Sequence, residues 1–288
     1  MKHNDGLVRI REALNIIKPA EKNAAHYILK HPEEVVRLSV KELSERSGSS
    51  QAAIIRLCKS IGVTGYQDLK VRIAGDLQTN ELYNYNYKEI SPDEKINPLI
   101  EKVSQKNIQS ITETLKILNY ENVERAINAI NKSKRIDFYG AAASQIIALD
   151  AQQKFLRINK HCTAYEDSHL QITSSVTLTE EDVAIGISYS GETSHVLSAI
   201  QNAKDANATT ISITRYGKNP LANIADIALH VSATESDTIR SAATASRIAQ
   251  LNIIDILFTG VASRNYESTI QYLNKTRETL QKEFRDKG

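Results

Sequence analysis

Hydroxyl side chains grouped around one glycine give this 288-residue sequence its first chemical signal, in Ser188-Tyr189-Ser190-Gly191-Glu192-Thr193. Ser188, Ser190 and Thr193 bring donors without bulk, and Gly191 lets the backbone approach a ligand closely. A second small-residue stretch, Gly140-Ala141-Ala142-Ala143-Ser144, puts Ser144 in a comparable setting. Each stretch follows an apolar run and leads into a helical one. Backbone N–H groups and the positive end of a helix dipole then converge on it, which suits a phosphate. Serine or threonine at a helix start is also an ordinary N-cap, and for either loop alone that reading stands beside the first. Two such loops favour the ligand.

Groups able to make or break bonds are scarcer. An aldose–ketose isomerisation needs a base beside the sugar carbons, and Glu235, His169 and His195 are the candidates. Glu235 would serve equally as an acceptor for a sugar hydroxyl. His169 reads as a structural or ligand-hydroxyl contact, and His195, one turn into the helix after the second loop, as solvated. No HExxH, CxxC or nucleophile-elbow motif occurs, so neither a metal nor a cofactor is expected. Cys58 and Cys162 have neither metal nor disulfide spacing and read as free thiols in a reducing cytosol.

A second constellation lies near the start of the chain. Ser39-Val40-Lys41-Glu42 is a capping box that opens a short helix, Gly48-Ser49 makes a tight turn, and a second helix runs from about Ser50 to Ile61. Ile54, Leu57, Cys58 and Ile61 have core spacing on that second helix. Ser49, Ser50, Gln51, Ile55, Arg56 and Lys59 are left facing outward. In a major groove Gln51 would read adenine and Arg56 guanine, while Lys59 would meet phosphate. An ordinary helical bundle with capped, solvated ends accounts for the spacing equally well.

The elements that must position these residues fall into two groups. Residues 1–77 read as helices throughout, with Pro19 in a first helical turn and His31-Pro32 as a stop. Residues 78–98 hold Pro92 and Pro98 and no helical stripe, and read as a linker. Beyond Leu99 two helices precede five apolar strands, at Ile136–Tyr139, Cys162–Tyr165, Val183–Ser188, Thr209–Thr214 and Ile227–Val231, with helical segments between most of them. That alternation predicts a five-stranded parallel sheet wound on both faces. The fold class is therefore α plus α/β.

Charge supports the division. Residues 1–77 carry 13 Lys and Arg against 9 Asp and Glu, whereas the remainder carries 23 against 25. A basic head on a mildly acidic body fits a nucleic-acid partner for the head alone. No apolar run is long enough for a membrane span and no signal peptide opens the chain, so a cytoplasmic location and no membrane partner are expected.

Two resemblances sharpen these expectations. Ser39-Val40-Lys41-Glu42-Leu43-Ser44, Gly48, Ile54, Arg56-Leu57-Cys58-Lys59, Gly62 and Gly65-Tyr66-Gln67-Asp68-Leu69-Lys70 resemble the DNA-binding domain of the RpiR family of bacterial regulators. Ser188-Tyr189-Ser190-Gly191-Glu192-Thr193 is similar to the Ser-x-Ser-Gly-x-Thr signature of sugar isomerase (SIS) domains, which bind phosphosugars. In the first loop Ala142 replaces the second glycine of the usual Gly-x-Gly-x-Ser pattern. The resemblance makes Ser144, Ser188, Ser190 and Thr193 the phosphate cradle. Glu235 and Arg240-Ser241-Ala242 resemble a stretch that closes the pocket, often across a dimer interface, so Glu235 and Ser241 join the expected sugar site. SIS domains occur in enzymes and regulators alike, and the basic helix-turn-helix favours a regulator over a sugar-phosphate isomerase. The expected partners are a duplex operator with an inverted repeat, a phosphorylated sugar, and further copies of the chain in a homodimer or homotetramer.

Overall fold

The structure is a computed structural model and describes residues 5–14, 16–79, 94–232 and 243–285. The chain folds into two compact units, Met1–Ile117 with Tyr216–Lys218 and Ser232–Ser246, and Leu118–Arg215 with Asn219–Val231 and Arg247–Gly288. Among the described residues no helix is long and apolar enough to cross a membrane.

In the first unit α1 (Gly6–Ala13), α2 (Pro19–Lys30), α3 (Pro32–Val35), α4 (Val40–Ser47), α5 (Gln51–Ser60) and α6 (Tyr66–Thr79) precede the longer α7 (Ile96–Ile117). Pro19 and Pro32 each open a helix, where a missing N–H costs nothing. The apolar faces of α1 to α6 bury one cluster drawn entirely from Leu7 to Ile73, with Ile10, Ile28, Leu43, Ile54, Leu57, Leu69 and Ile73 at its centre. Buried carboxylates tie the ends of this bundle. Asp76 accepts the Leu7 N–H at 2.8 Å, and Asp5 pairs with Arg9 and Arg72, each at 2.6 Å. Burial raises the Asp76 carboxyl above its ordinary value, against the Leu7 N–H and the Lys116 ammonium. The stretch expected as a linker is helical at both ends. α6 continues to Thr79, and Pro98 sits in the first turn of α7, where proline is tolerated.

The second unit opens with α8 (Tyr120–Lys132). It then alternates through β1 (Arg135–Tyr139), α9 (Ala143–Leu156), β2 (His161–Thr163), α10 (Ser168–Ser175), β3 (Val183–Ile187), α11 (Ser194–Asp205), β4 (Thr209–Arg215), α12 (Pro220–Ile224) and β5 (Ile227–Val231). Two long helices, α13 (Ala245–Arg264) and α14 (Tyr266–Arg285), finish the described chain. The five strands form one parallel sheet in the order β2-β1-β3-β4-β5. Near-continuous apolar strands are what a sheet covered on both faces requires. On one face Ile136, Phe138, Ile185, Ile187, Ile211 and Ile213 pack against α8, α9 and α13; on the other Tyr139 and Ala184 meet Val196, Ala199, Ile200 and Leu221 of α11 and α12.

Each unit holds one free, buried cysteine, Cys58 on α5 and Cys162 on β2, and burial pushes both thiols up to about 11. Asp137 is wholly buried on β1. It accepts from Arg135 at 2.8 Å through both oxygens, from Thr163 at 2.8 Å and from Tyr139 at 3.0 Å, and it also meets Ser174.

Candidate functional site

In the order β2-β1-β3-β4-β5 the chain winds one way from β1 and the other way from β3. The carboxyl ends of those two neighbours therefore flank the crevice where open parallel sheets take ligands. Both hydroxyl-bearing loops fall there. Gly140–Ala142 links β1 to α9, and Ser188–Thr193 links β3 to α11.

The starts of α8 to α12 distinguish this crevice from the other helix starts around the sheet. α8, α10 and α12 are capped by Asn119, Asp167 and Asn219, whose side chains accept first-turn N–H groups. α9 and α11 have no side-chain cap, at Ala142 and Thr193 respectively. Helix N-termini concentrate donors and partial positive charge, and among α8 to α12 these two are the pair without a capping side chain. The N-cap reading of Thr193 does not hold, because its hydroxyl lies 2.9 Å from Ser188 Oγ instead.

Ser188 is buried and shapes the loop, its Oγ accepting the Gly191 N–H at 3.1 Å as well as meeting Thr193. Ser190 is half-buried and accepts the Glu192 N–H at 3.2 Å, which leaves its proton to donate. Ser144 is half-buried on the first turn of α9. Gly191 adopts φ +71°, and a Cβ there would lie 2.0 Å from Asn219 Oδ1, so the position requires glycine twice over. Ala142 adopts φ +48° and ψ −120°, a conformation that glycine accepts and an L side chain resists.

Two residues that sequence reasoning missed hold these loops. Asn219 touches Gly191, caps α12 through Ala222 N–H at 2.9 Å and donates to Thr214 Oγ1 at 3.0 Å. Its place before Pro220 is a helix-start signal that could have found it. Gln171 is fully buried on α10 and donates to the carbonyls of Gly140 at 2.9 Å and Tyr165 at 2.8 Å, with no local sequence signal. His169 is exposed on α10 and His195 is partly buried on α11. Glu235 and Ser241 lie outside the described residues.

The helix-turn-helix residues sit in the first unit. Ser39 Oγ accepts the Glu42 N–H at 3.2 Å, and Glu42 Oε2 accepts the Ser39 N–H at 2.7 Å. These hydrogen bonds hold the Glu42 carboxyl below its ordinary value. Gly48 ends α4 at φ +65°, and Ser50 caps α5 by accepting the Ala53 N–H at 3.1 Å. Gln51, Ile55, Arg56 and Lys59 are exposed on one side of α5, opposite the buried Ile54, Leu57 and Cys58. Ser49 does not join them: it is buried in the turn, its carbonyl accepting from Ser44 Oγ at 2.6 Å and its N–H donating to the Ser44 carbonyl at 3.2 Å. Arg56 pairs with the buried carboxylate of Glu21 on α2 at 3.6 Å.

Comparison with known proteins matches both regions. Residues 4–80 match the family model of the helix-turn-helix domain of the rpiR family, and residues 129–260 match that of the SIS domain. An HTH-type transcriptional regulator of Caldanaerobacter subterraneus subsp. tengcongensis is 48% identical, over 96% of this chain and 97% of that one. The HTH-type transcriptional regulator YbbH of Bacillus subtilis is 41% identical over 96% and 97%. Among solved structures, the Vibrio vulnificus NanR protein complexed with ManNAc-6P shares the fold, with a TM-score of 0.59 and 23% identity over 96% of this chain and 97% of that one.

Proposed function

The chain belongs to the RpiR family of helix-turn-helix transcriptional regulators that carry a SIS domain, and from that premise we propose that a phosphorylated sugar bound at the β1/β3 crevice controls its grip on operator DNA. The observation that carries this reading is the coincidence of two helix starts without a capping side chain, α9 and α11, with the hydroxyls of Ser144, Ser188, Ser190 and Thr193 at the sheet's switch point. An anion with several oxygens satisfies that many donors at once. The complex of NanR with ManNAc-6P supports the class of ligand.

In this reading residues 1–77 bind DNA in the cytoplasm, residues 78–98 connect, and residues 99–288 sense. Gln51 and Arg56 read base edges, Lys59 and Ser50 meet the phosphodiester backbone, and Ile55 packs against a thymine methyl. Glu235 and Ser241 complete the sugar site. The protein binds as a homodimer or homotetramer on an inverted repeat, since a two-fold pair of recognition helices reads two half-sites. It is a sensor and not an isomerase, with no cofactor or metal required.

Fluorescence anisotropy of operator DNA, with and without a panel of sugar phosphates, tests this. Coupling of about 1–3 kcal/mol changes operator affinity about 5- to 150-fold. Ser190→Asp keeps an acceptor for the Glu192 N–H but sets a negative charge against the phosphate, so the variant should retain DNA binding and ignore the sugar. Equal affinity for the unphosphorylated sugar contradicts the cradle. Conversion of the bound compound in NMR, lost in Glu235→Gln, restores the isomerase.

A further inference from the structure

Helix α7 is inside out. It buries Lys102, Ser110, Glu113 and Thr114 with a single apolar residue, Ile117, while Ile96, Ile100, Val103, Ile108, Ile111 and Leu115 are 36% to 64% exposed. The inward polar groups are partnered within the first unit. Lys102 Nζ lies 2.5 Å from Glu94, Glu113 lies 2.5 Å from Arg11 Nη1, and Thr114 Oγ1 accepts the Ser232 N–H at 3.0 Å. A soluble helix ordinarily does the reverse, burying its aliphatic stripe and solvating its charges. Among the described residues, this one helix carries six of the eighteen large hydrophobic side chains exposed to such a degree. They are therefore concentrated on one face, which is not how chance surface exposure distributes them.

At 3.6 residues per turn the six side chains fall within about 140° of the helix circumference, along a rod about 33 Å long. The same band also holds Asn97, Ser104, Asn107 and the buried Thr114, and no charged residue. A face without charge presents no like-charge repulsion to its own copy. Side chains exposed to this degree amount to roughly 500 Å² per copy, or at most about 1,000 Å² in a pair, which reaches the lower threshold for a specific interface.

We infer that this face of α7 is covered by the same face of a second copy of this chain, packed about a two-fold axis. The inference rests on the oligomeric reading above and names its surface. An isologous contact needs a self-complementary patch, and an aliphatic band flanked by small neutral residues is one.

The test is sedimentation equilibrium of the full chain without DNA or sugar, so that its outcome is independent of the ligand and operator assignments. The wild type should sediment as a dimer of 32.1 kDa chains, or as a tetramer. Ile100→Glu with Ile111→Glu should halve that mass with unchanged far-UV circular dichroism. Because that variant can fail to fold, Asn107→Cys gives a second readout. Residue 107 lies near the middle of both helix and band, so a short bis-maleimide should join two copies there. Gln105→Cys, exposed on the opposite side, should remain uncoupled, and the native cysteines are buried. A monomeric wild type, an unchanged mass in a folded double variant, or equal cross-linking through residue 105 would each overturn the assignment.

Discussion

Ala142 and Gly191 make opposite predictions from the same backbone sign. Ala142 holds a conformation suited to glycine, at a position where the resembling loops carry glycine. Relief of about 1–3 kcal/mol of strain, less about 0.4–1 kcal/mol of unfolded-state entropy, leaves Ala142→Gly about 1 kcal/mol more stable. Thermal unfolding should show a rise of a few degrees, with sugar-phosphate affinity retained. Gly191→Ala combines the same strain with a Cβ driven into Asn219, which then loses its cap on α12. It should cost about 2–4 kcal/mol and weaken sugar-phosphate binding measured by calorimetry. The hydroxyl residues of these loops were legible in the sequence because hydroxyls around glycine at a strand end are a local pattern. Gln171 and Asn219 were not legible as partners of the loops, since the groups they hold lie 31 and 28 residues away in the chain.

Helix α5 owes its legibility to its two ends. The capping box, Gly48 and Ser50 fix where α4 stops and α5 begins, and the apolar spacing then fixes which side faces out. Local signals do not show that Ser49 turns inward, nor that α2 brings Glu21 beside Arg56. The expected outward set shrinks to Ser50, Gln51, Ile55, Arg56 and Lys59. Arg56→Ala should cost about 1–3 kcal/mol of operator affinity and relax discrimination at one base pair. Lys59→Ala should weaken operator and scrambled DNA alike, with a shallower salt dependence. Anisotropy titrations on both DNAs at two salt concentrations separate these roles, and equal losses on both DNAs for Arg56→Ala would remove it from the base-reading set. Helix α7 shows the limit of the same reasoning. Its apolar periodicity identified a helix, but periodicity alone cannot say whether the stripe faces its own chain or another.

The alternation of strands and helices made the wound sheet readable over the whole chain, because each strand–helix pair is a local pattern that chirality and connection rules assemble in few ways. The compact units were not readable. Tyr216–Lys218 and Ser232–Ser246 group with the first unit although the flanking strands belong to the second. Even so, every buried residue of the helical core lies between Leu7 and Ile73. A fragment of residues 1–77 should therefore fold alone, with helical circular dichroism and a cooperative thermal transition. It should bind operator more weakly than the full chain and show no response to sugar phosphate. A fragment that stays unfolded would move the boundary of the DNA-binding domain beyond residue 77.

Cys58 and Cys162 supply a pair of internal clocks. Neither thiol ionises appreciably below about pH 10, because burial pushes both up to about 11, and an alkylating agent reaches a buried thiol only when its surroundings open. One clock runs in each unit, and a single mass spectrum reads both. Where labelling proceeds through opening of the whole unit, a sugar phosphate at 100 times its Kd should slow the Cys162 clock about 100-fold. If the Cys58 clock slows with it, effector and operator units share one opening equilibrium and the signal travels as stability. If only Cys162 slows while operator affinity still changes, the signal travels as geometry.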